Sequence, residues 1–196
     1  MQTETTTKKL FTVDEYYKIA GAGIIKEGER TELINGEIIQ VSAMGALHGG
    51  AVTAATDFLL PLFKGMAQMR VQLPIHLNQF NEPEPDISLV RPRRDSYRLR
   101  HPEPADVLLI LEISHTSLHY DRELKLPVYA AARIRDVWIE DLTSEVLLVF
   151  RDPSKGSYRT SLTFHRGDSV TLLAFPEIAF PVEQLLGPGP ATTPQL

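Results

Sequence analysis

Asp86, in Pro83-Glu84-Pro85-Asp86, and Glu112, near the end of Val107-Leu108-Leu109-Ile110-Leu111-Glu112-Ile113-Ser114, each sit in or beside an apolar, strand-like run. A carboxylate is costly to bury there unless a cation or a bound metal compensates it. If the two strands lie side by side, the acids repel each other unless a divalent cation sits between them. Oxygen-only ligation selects Mg²⁺ or Mn²⁺ over zinc, and the backbone carbonyl of Ile113 offers a third protein ligand. Lys125, in the next segment, could stabilise charge developing on a phosphoryl group or orient the attacking water. Together these residues suggest metal-assisted cleavage of a phosphodiester. The spacing also admits a plainer reading, in which Asp86 and Glu112 are strand-end caps or salt-bridge partners.

The elements that would position these groups follow from pattern. Thr12 with Glu15 fits a capping box opening a helix over 13–20. Asn35-Gly36 between residues 31–34 and 37–40 is a hairpin signal, because both turn residues tolerate positive φ. Val52, Ala55, Leu59, Leu62 and Phe63 share one face of a helix over 48–63. Alternation of Val71, Leu73, Ile75 and Leu77 predicts a half-buried strand over 70–79. A short strand over 86–90 should be central, and the continuous apolar run 106–113 should be covered on both faces. A helical segment over 118–132 should kink or restart at Pro127. Strands over 136–141, 145–151, 158–164 and 170–173 and a helical turn over 182–186 complete the chain. The expected domain spans 11–186, after a flexible arm over 1–10 and before a disordered tail over 187–196. The order of elements implies an α/β fold, a mixed sheet with a helix on each side.

The totals fit an ordinary globular domain: 43% of residues are hydrophobic and 23% charged, so a core and a solvated surface are both affordable. The absence of cysteine excludes disulfides and thiolate metal sites and suits a reducing cytoplasm, the expected location. No apolar stretch is long enough to cross a membrane, and the polar start lacks a signal-peptide core. A net charge of −5 argues against a generally basic nucleic-acid-binding surface. Arg91, Arg93, Arg94, Arg98 and Arg100 offer one local basic patch, or simply a solvated loop.

The stretches Glu32-Leu33-Ile34-Asn35-Gly36-Glu37, Pro83-Glu84-Pro85-Asp86, Leu109-Ile110-Leu111-Glu112-Ile113-Ser114, Tyr120-Asp121-Arg122-Glu123-Leu124-Lys125-Leu126-Pro127-Val128-Tyr129 and Asp136-Val137-Trp138-Ile139-Glu140-Asp141 resemble, in order, the motifs of the Uma2 family. That family belongs to the PD-(D/E)XK nuclease superfamily, and the resemblance runs from about Phe11 to Leu186. It implies a restriction endonuclease-like core, with a helix over 47–64, strands over 70–79, 86–91 and 106–113, a helix over 118–132 and a strand over 136–142. The hairpin at 31–40 and the strands after 145 would be additions. The motif acids would be Asp86 and Glu112. The superfamily's lysine two residues beyond the glutamate is replaced by Ser114, and the resemblance places that function on Lys125. His115 is a second departure, where relatives carry an acid or proline.

Further residues carry weaker signals. Glu32 and His48 match family positions: Glu32 could extend the acidic cluster or be a solvated strand residue, and His48 could contact phosphate or relay protons. Gln72, on the strand before Asp86, could line the site. Asp121 should cap the helix bearing Lys125 or pair with that lysine. Tyr120 and Tyr129 could stack on bases, although Tyr129 fits a core better. Trp138 reads as core. His76, His101, His119 and His165 have no ligand spacing. The expected function is a Mg²⁺- or Mn²⁺-dependent endonuclease acting on DNA, in a homodimer as superfamily members often are. The alternative is a binding or regulatory module that retains the nuclease core without turnover.

Overall fold

The structure is a computed structural model that describes residues 7–41 and 44–187. The first six positions of the expected arm and the expected tail from 188 onward lie outside the described residues. Helix α1 (Val13–Gly21) starts at Thr12 through a reciprocal cap: Glu15 N donates to Thr12 Oγ1 at 3.2 Å, and Thr12 N donates to Glu15 Oε2 at 2.9 Å. Strands β1 (Thr31–Ile34) and β2 (Glu37–Gln40) form the hairpin, with Asn35 at φ 51 and Gly36 at φ 74. Helix α2 (Ala46–Leu62) buries Val52, Ala55 and Leu59, one stripe at helical spacing.

Six strands make the central sheet, in chain order: β3 (Gln68–Val71), β4 (Ile87–Val90), β5 (Val107–Ser114), β6 (Asp136–Asp141), β7 (Val146–Ser154) and β8 (Ser157–Phe164). Neighbours are antiparallel except β5 and β6, which are parallel. A parallel pair needs a crossover. Here it is helical: α3 (Leu118–Tyr120), a π turn (Asp121–Lys125) and α4 (Leu126–Ala131). The break expected at Pro127 falls one turn earlier. The chain widens over 121–125, and α4 restarts with Pro127 in its first turn, where a missing N–H costs least.

Both faces of the sheet are covered. On one, α2, α5 (Glu183–Leu186) and the two-stranded sheet of β9 (Ser169–Leu172) and β10 (Phe175–Pro181) pack on Leu109, Leu111, Ile113, Trp138, Leu147 and Val149. On the other, α4 and residues of the irregular segment after β3 pack on Ile110, Val137, Ile139 and Phe150. No helix among the described residues is long and apolar enough to cross a membrane.

One expectation needs correction. The strand over 70–79 ends at Val71, because Gln72 adopts φ 50 and Pro74 lacks an N–H. Ile75 and Leu77 are still buried, but their N–H groups donate to Pro83 O and Asn81 O, so the alternation records burial without a ladder. Strands β7 and β8, the first of the expected additions after 145, extend the central sheet beyond β6. Strand β10 was not foreseen, since Pro176 and Pro181 argue against a strand there.

Glu140 stands out in this core. It shares the α2-facing side of β6 with Trp138, is 0% exposed, and neither carboxylate oxygen has a hydrogen-bond partner among the described residues. Burial pushes its pKa to about 8, Arg166 opposes that, and Asp86 adds to it. The folded protein therefore keeps a proton that the unfolded chain releases near 4.5. Stability from this site is present at low pH and is lost as pH rises across that window. Glu140→Gln should make the slope of unfolding free energy against pH less negative by about 1.4 kcal/mol per pH unit between roughly pH 5.5 and 7.5. Urea melts across that range give the measurement, and parallel curves for the two proteins would refute it. A second expectation concerns Gly36, where an added Cβ would lie 2.7 Å from Leu10 Cβ. Gly36→Ala should cost about 2 kcal/mol in urea unfolding. Gly65→Ala, at φ 81 with open space around it, should cost about half as much; equal losses would show that the contact with Leu10 is not tight.

Candidate active site

The β4–β5 ladder pairs Ile87 with Leu111, and one step further Asp86 would face Glu112. Residues opposite each other in an antiparallel pair project to the same face. At that step the ladder stops and side chains take over its hydrogen bonds. Ile113 N donates to Asp86 Oδ2 at 2.9 Å, and Asp86 N donates to Glu112 Oε2 at 3.3 Å. On the other edge, Gln72 N still donates to Asp86 O at 3.0 Å. The carboxylates thus sit where the sheet parts. The carbonyl of Ile113 leaves the strand on the same edge as its N–H, toward Asp86.

The helical crossover brings in the counter-charge. Asp121, Lys125 and Tyr129 are spaced four apart, so they lie along one face of the helical segment and meet the sheet together. Lys125 Nζ lies 2.7 Å from Glu112 Oε1 and 3.6 Å from Glu32 Oε2, and donates to Glu84 O at 3.4 Å. Tyr129 Oη donates to Glu112 Oε1 at 2.6 Å. Asp121 is neither a helix cap nor an ion-pair partner of Lys125: its Oδ2 accepts from Ser114 Oγ at 2.6 Å and Ser117 Oγ at 2.8 Å, which ties the crossover to the end of β5. A π turn of this kind recurs at functional sites. Here it holds both Asp121 and Lys125 buried.

The remaining sequence-selected residues form the rim. His48 Nε2 is 3.0 Å from Asp86 Oδ1, and Gln72 Nε2 donates to the same oxygen at 3.2 Å. Glu32 accepts from Tyr120 Oη at 2.9 Å and from Glu84 N at 2.9 Å. Asp86, Glu112, Lys125, Glu32, His48 and Gln72 are therefore brought together, with Asp121 one hydrogen-bonded layer behind. A cavity of about 360 Å³ opens between the hairpin, the start of α2 and the crossover, lined by Glu32, His48, Glu84, Asp86, Glu112 and Lys125, with Arg30 at its edge. The side chains of His48 and Asp86 are 18% and 13% exposed and those of Glu112 and Lys125 only 3% and 4%, so solvent reaches the site from the Asp86 side.

Titration follows from this packing. Burial pushes Asp86 up, but the His48 hydrogen bond and charge and the Ile113 N–H outweigh it and hold the carboxyl below its usual range. The hydrogen bond from His48 to Asp86 raises the imidazole in return. Burial drives Glu112 up to about 8 against the pull of Lys125, with Asp121 and Asp86 adding to the rise. Burial works against the Lys125 ammonium as well, yet Glu112 and Glu32 overcome it and keep the lysine charged. Among the described residues no group of three or more acidic or histidine side chains is arranged to hold a metal. The oxygens that could are the two carboxylates and the Ile113 carbonyl.

Tyr129, read from sequence as a base-stacking or, better, a core residue, instead joins the site through its hydroxyl on Glu112. Its spacing of four from Lys125 was the available signal. The arginine-rich stretch is largely spent on closing its own loop. Arg93 forks onto Asp95 at 2.8 and 2.9 Å, Arg100 binds Asp106 at 2.7 Å, and Arg70, Arg93 and Arg100 surround the Tyr97 ring at 5.2 to 5.7 Å. His76 and His101, given no role by spacing, belong to a separate cluster: His76 Nδ1 is 3.0 Å from Glu82 Oε2, and His101 Nε2 is 3.1 Å from Tyr17 Oη, which also donates to Glu82.

Two likenesses place the chain among known proteins. A solved structure from Anabaena variabilis, described as a "putative nuclease belonging to DUF820", is 18% identical and superposes with a TM-score of 0.72 over 90% of this chain and 97% of that one. At that identity the likeness concerns the fold. No curated protein matches the chain. The family model Uma2, described as "Putative restriction endonuclease", matches residues 13–183. Five ordered motifs, a split between β4 and β5 flanked by two acids, and this match over nearly the whole length lead to one conclusion: the chain belongs to the Uma2 family of restriction endonuclease-like proteins.

Proposed function

We propose that the protein is a divalent-metal-dependent endonuclease that hydrolyses phosphodiester bonds of DNA. The observation that carries this reading is the pair of carboxylates, Asp86 and Glu112, taking over the ladder hydrogen bonds at one point of the sheet with Lys125 beside them. Two carboxylates and a strand carbonyl make an all-oxygen donor set with room left for water and substrate phosphate, which suits Mg²⁺ or Mn²⁺. Asp86, Glu112 and the Ile113 carbonyl would hold it. Such a cation supplies Lewis acidity at a phosphoryl oxygen and lowers the pKa of a coordinated water.

The chain's own residues do the rest. Gln72 and His48 fix the orientation of Asp86 from one side, and the Ile113 N–H does so from the other. Tyr129 and Lys125 orient Glu112. Lys125 is a fixed positive charge in a low-dielectric wall, able to stabilise negative charge building on the phosphoryl group without solvent reorganisation. His48, at the solvent side of Asp86 and with a raised pKa, would suit contact with a neighbouring phosphate. Cutting both strands calls for two such centres, so a homodimer belongs to the same proposal. One observation favours the alternative of a binding module without turnover: Lys125 and Tyr129 already satisfy Glu112 Oε1 internally.

With Mn²⁺ or Mg²⁺ the purified protein should nick supercoiled plasmid. Asp86→Ala should abolish nicking, and Lys125→Met should slow it by about 100-fold or more. Tyr129→Phe, which leaves the charges in place, should cost less than Lys125→Met. Equal nicking by wild type and Asp86→Ala would assign the activity to a contaminant. Calorimetry that detects no Mn²⁺ binding to the wild type would favour the binding module.

A further inference from the structure

A second concave surface lies away from the candidate active site, and its charge is opposite. Arg133, Arg135, Lys155 and Arg159, with Asp152 the one acid, surround an open pocket of about 900 Å³ between the end of α4 and the β7–β8 turn. All four cations are exposed, and none forms an ion pair with a described residue. Asp152 is partly occupied, since its Oδ2 accepts from Thr160 Oγ1 at 2.6 Å. In a chain of net charge −5, four unpaired cations around one hollow depart from an even distribution. The cavity at Asp86 and Glu112 is lined by five carboxylates, so without a bound cation its own field favours a polyanion less than this pocket does.

The backbone holds two of these cations in an uncommon conformation. Arg133 follows the last turn of α4 at φ 62, with its N–H on Ala130 O and the next N–H, of Ile134, on Tyr129 O. This is the closing motif in which glycine is the preferred residue. Lys155 stands at φ 51 in the two-residue β7–β8 turn, ahead of Gly156 at φ 77, where asparagine or glycine is preferred. Two of the four cations therefore sit where backbone sterics favour glycine or asparagine, as does Asp152 at φ 58, and each accepts a strained conformation costing about 1 kcal/mol. The negative end of the α4 dipole favours a cation at Arg133. It does not account for Lys155 or Arg159, which lie on the neighbouring hairpin.

We propose that this pocket is a docking site for the phosphodiester backbone of a nucleic acid, separate from the point of cleavage. Its cations come from the end of α4, the approach to β6, the β7–β8 turn and β8, and together they present positive charge along a hollow, not at one point. Tyr129 and Lys125 of the candidate active site and Ala130 and Ala131 of the pocket wall lie on the same helical crossover, so the surfaces are rigidly linked. The choice of nucleic acid among polyanions rests on the phosphodiesterase reading; the anion-binding character of the pocket does not.

Fluorescence anisotropy with a labelled 40-base-pair duplex in EDTA, where no cleavage occurs, tests the proposal. Arg135→Glu/Arg159→Glu should weaken binding by about tenfold or more and flatten the log–log salt dependence by about 2. Arg135→Lys/Arg159→Lys should bind nearly as the wild type does. Lys18→Glu/Lys26→Glu, with the same change in net charge at exposed positions elsewhere, should have a much smaller effect. Unchanged affinity and salt slope in the first variant would overturn the proposal, and so would competition by polyglutamate equal to that of DNA at matched charge. Loss of duplex binding in the first variant without any nicking by the wild type would retain the docking site and reject the nuclease. Nicking that depends on Asp86 together with unchanged binding in the first variant would do the reverse.

Discussion

The site depends on one local event, the end of a β-ladder at which two carboxylates replace the backbone partners. Buried N–H groups must be satisfied, and at the parting of β4 and β5 those of Ile113 and Asp86 find Asp86 Oδ2 and Glu112 Oε2. That arrangement places two acids against each other in a poorly solvated wall. The rest of the local structure compensates for it: Lys125 and Tyr129 on Glu112, His48 and Gln72 on Asp86. Removing one partner from such a group leaves an uncompensated buried charge, which costs more than the pair contributes.

The compensation is uneven, and the unevenness gives the site its direction. Asp86 faces solvent and stays ionised, whereas Glu112 lies deep, is pushed up to about 8 and leans on Lys125. The two acids are thus chemically distinct although they stand on adjacent strands. A cation entering from the Asp86 side would meet an ionised carboxylate first and compete with an ammonium for the second. The crossover that carries the ammonium exists because β5 and β6 are parallel, so the sheet topology and the charge balance are one feature of the fold.

Much of this could be read from the sequence, for identifiable reasons. The capping box at Thr12, the Asn35-Gly36 turn and the apolar stripe of α2 are local signals, and the structure follows them. The run 107–113 is apolar because residues on both faces are covered, Leu109, Leu111 and Ile113 by α2 and Ile110 by α4. The segment after Val71 misled because Leu73, Ile75 and Leu77 alternate as a strand does, while the chain turns out of the ladder at Gln72, which stands at positive φ. The part played by Tyr129 was hidden because an aromatic residue on a buried helix face packs whether or not its hydroxyl has a partner. Glu140 could not be singled out either, because nothing in a strand sequence distinguishes a buried unpartnered acid from a solvated one.

The central claim is that Asp86 and Glu112 share a hard cation. An anomalous difference map from crystals grown with Mn²⁺ tests it most directly. The account predicts one strong peak at roughly 2.2 Å from an oxygen of each carboxylate, with the Ile113 carbonyl also in range. A map without that peak at saturating Mn²⁺, in which Lys125 remains on Glu112 and His48 on Asp86, would contradict it.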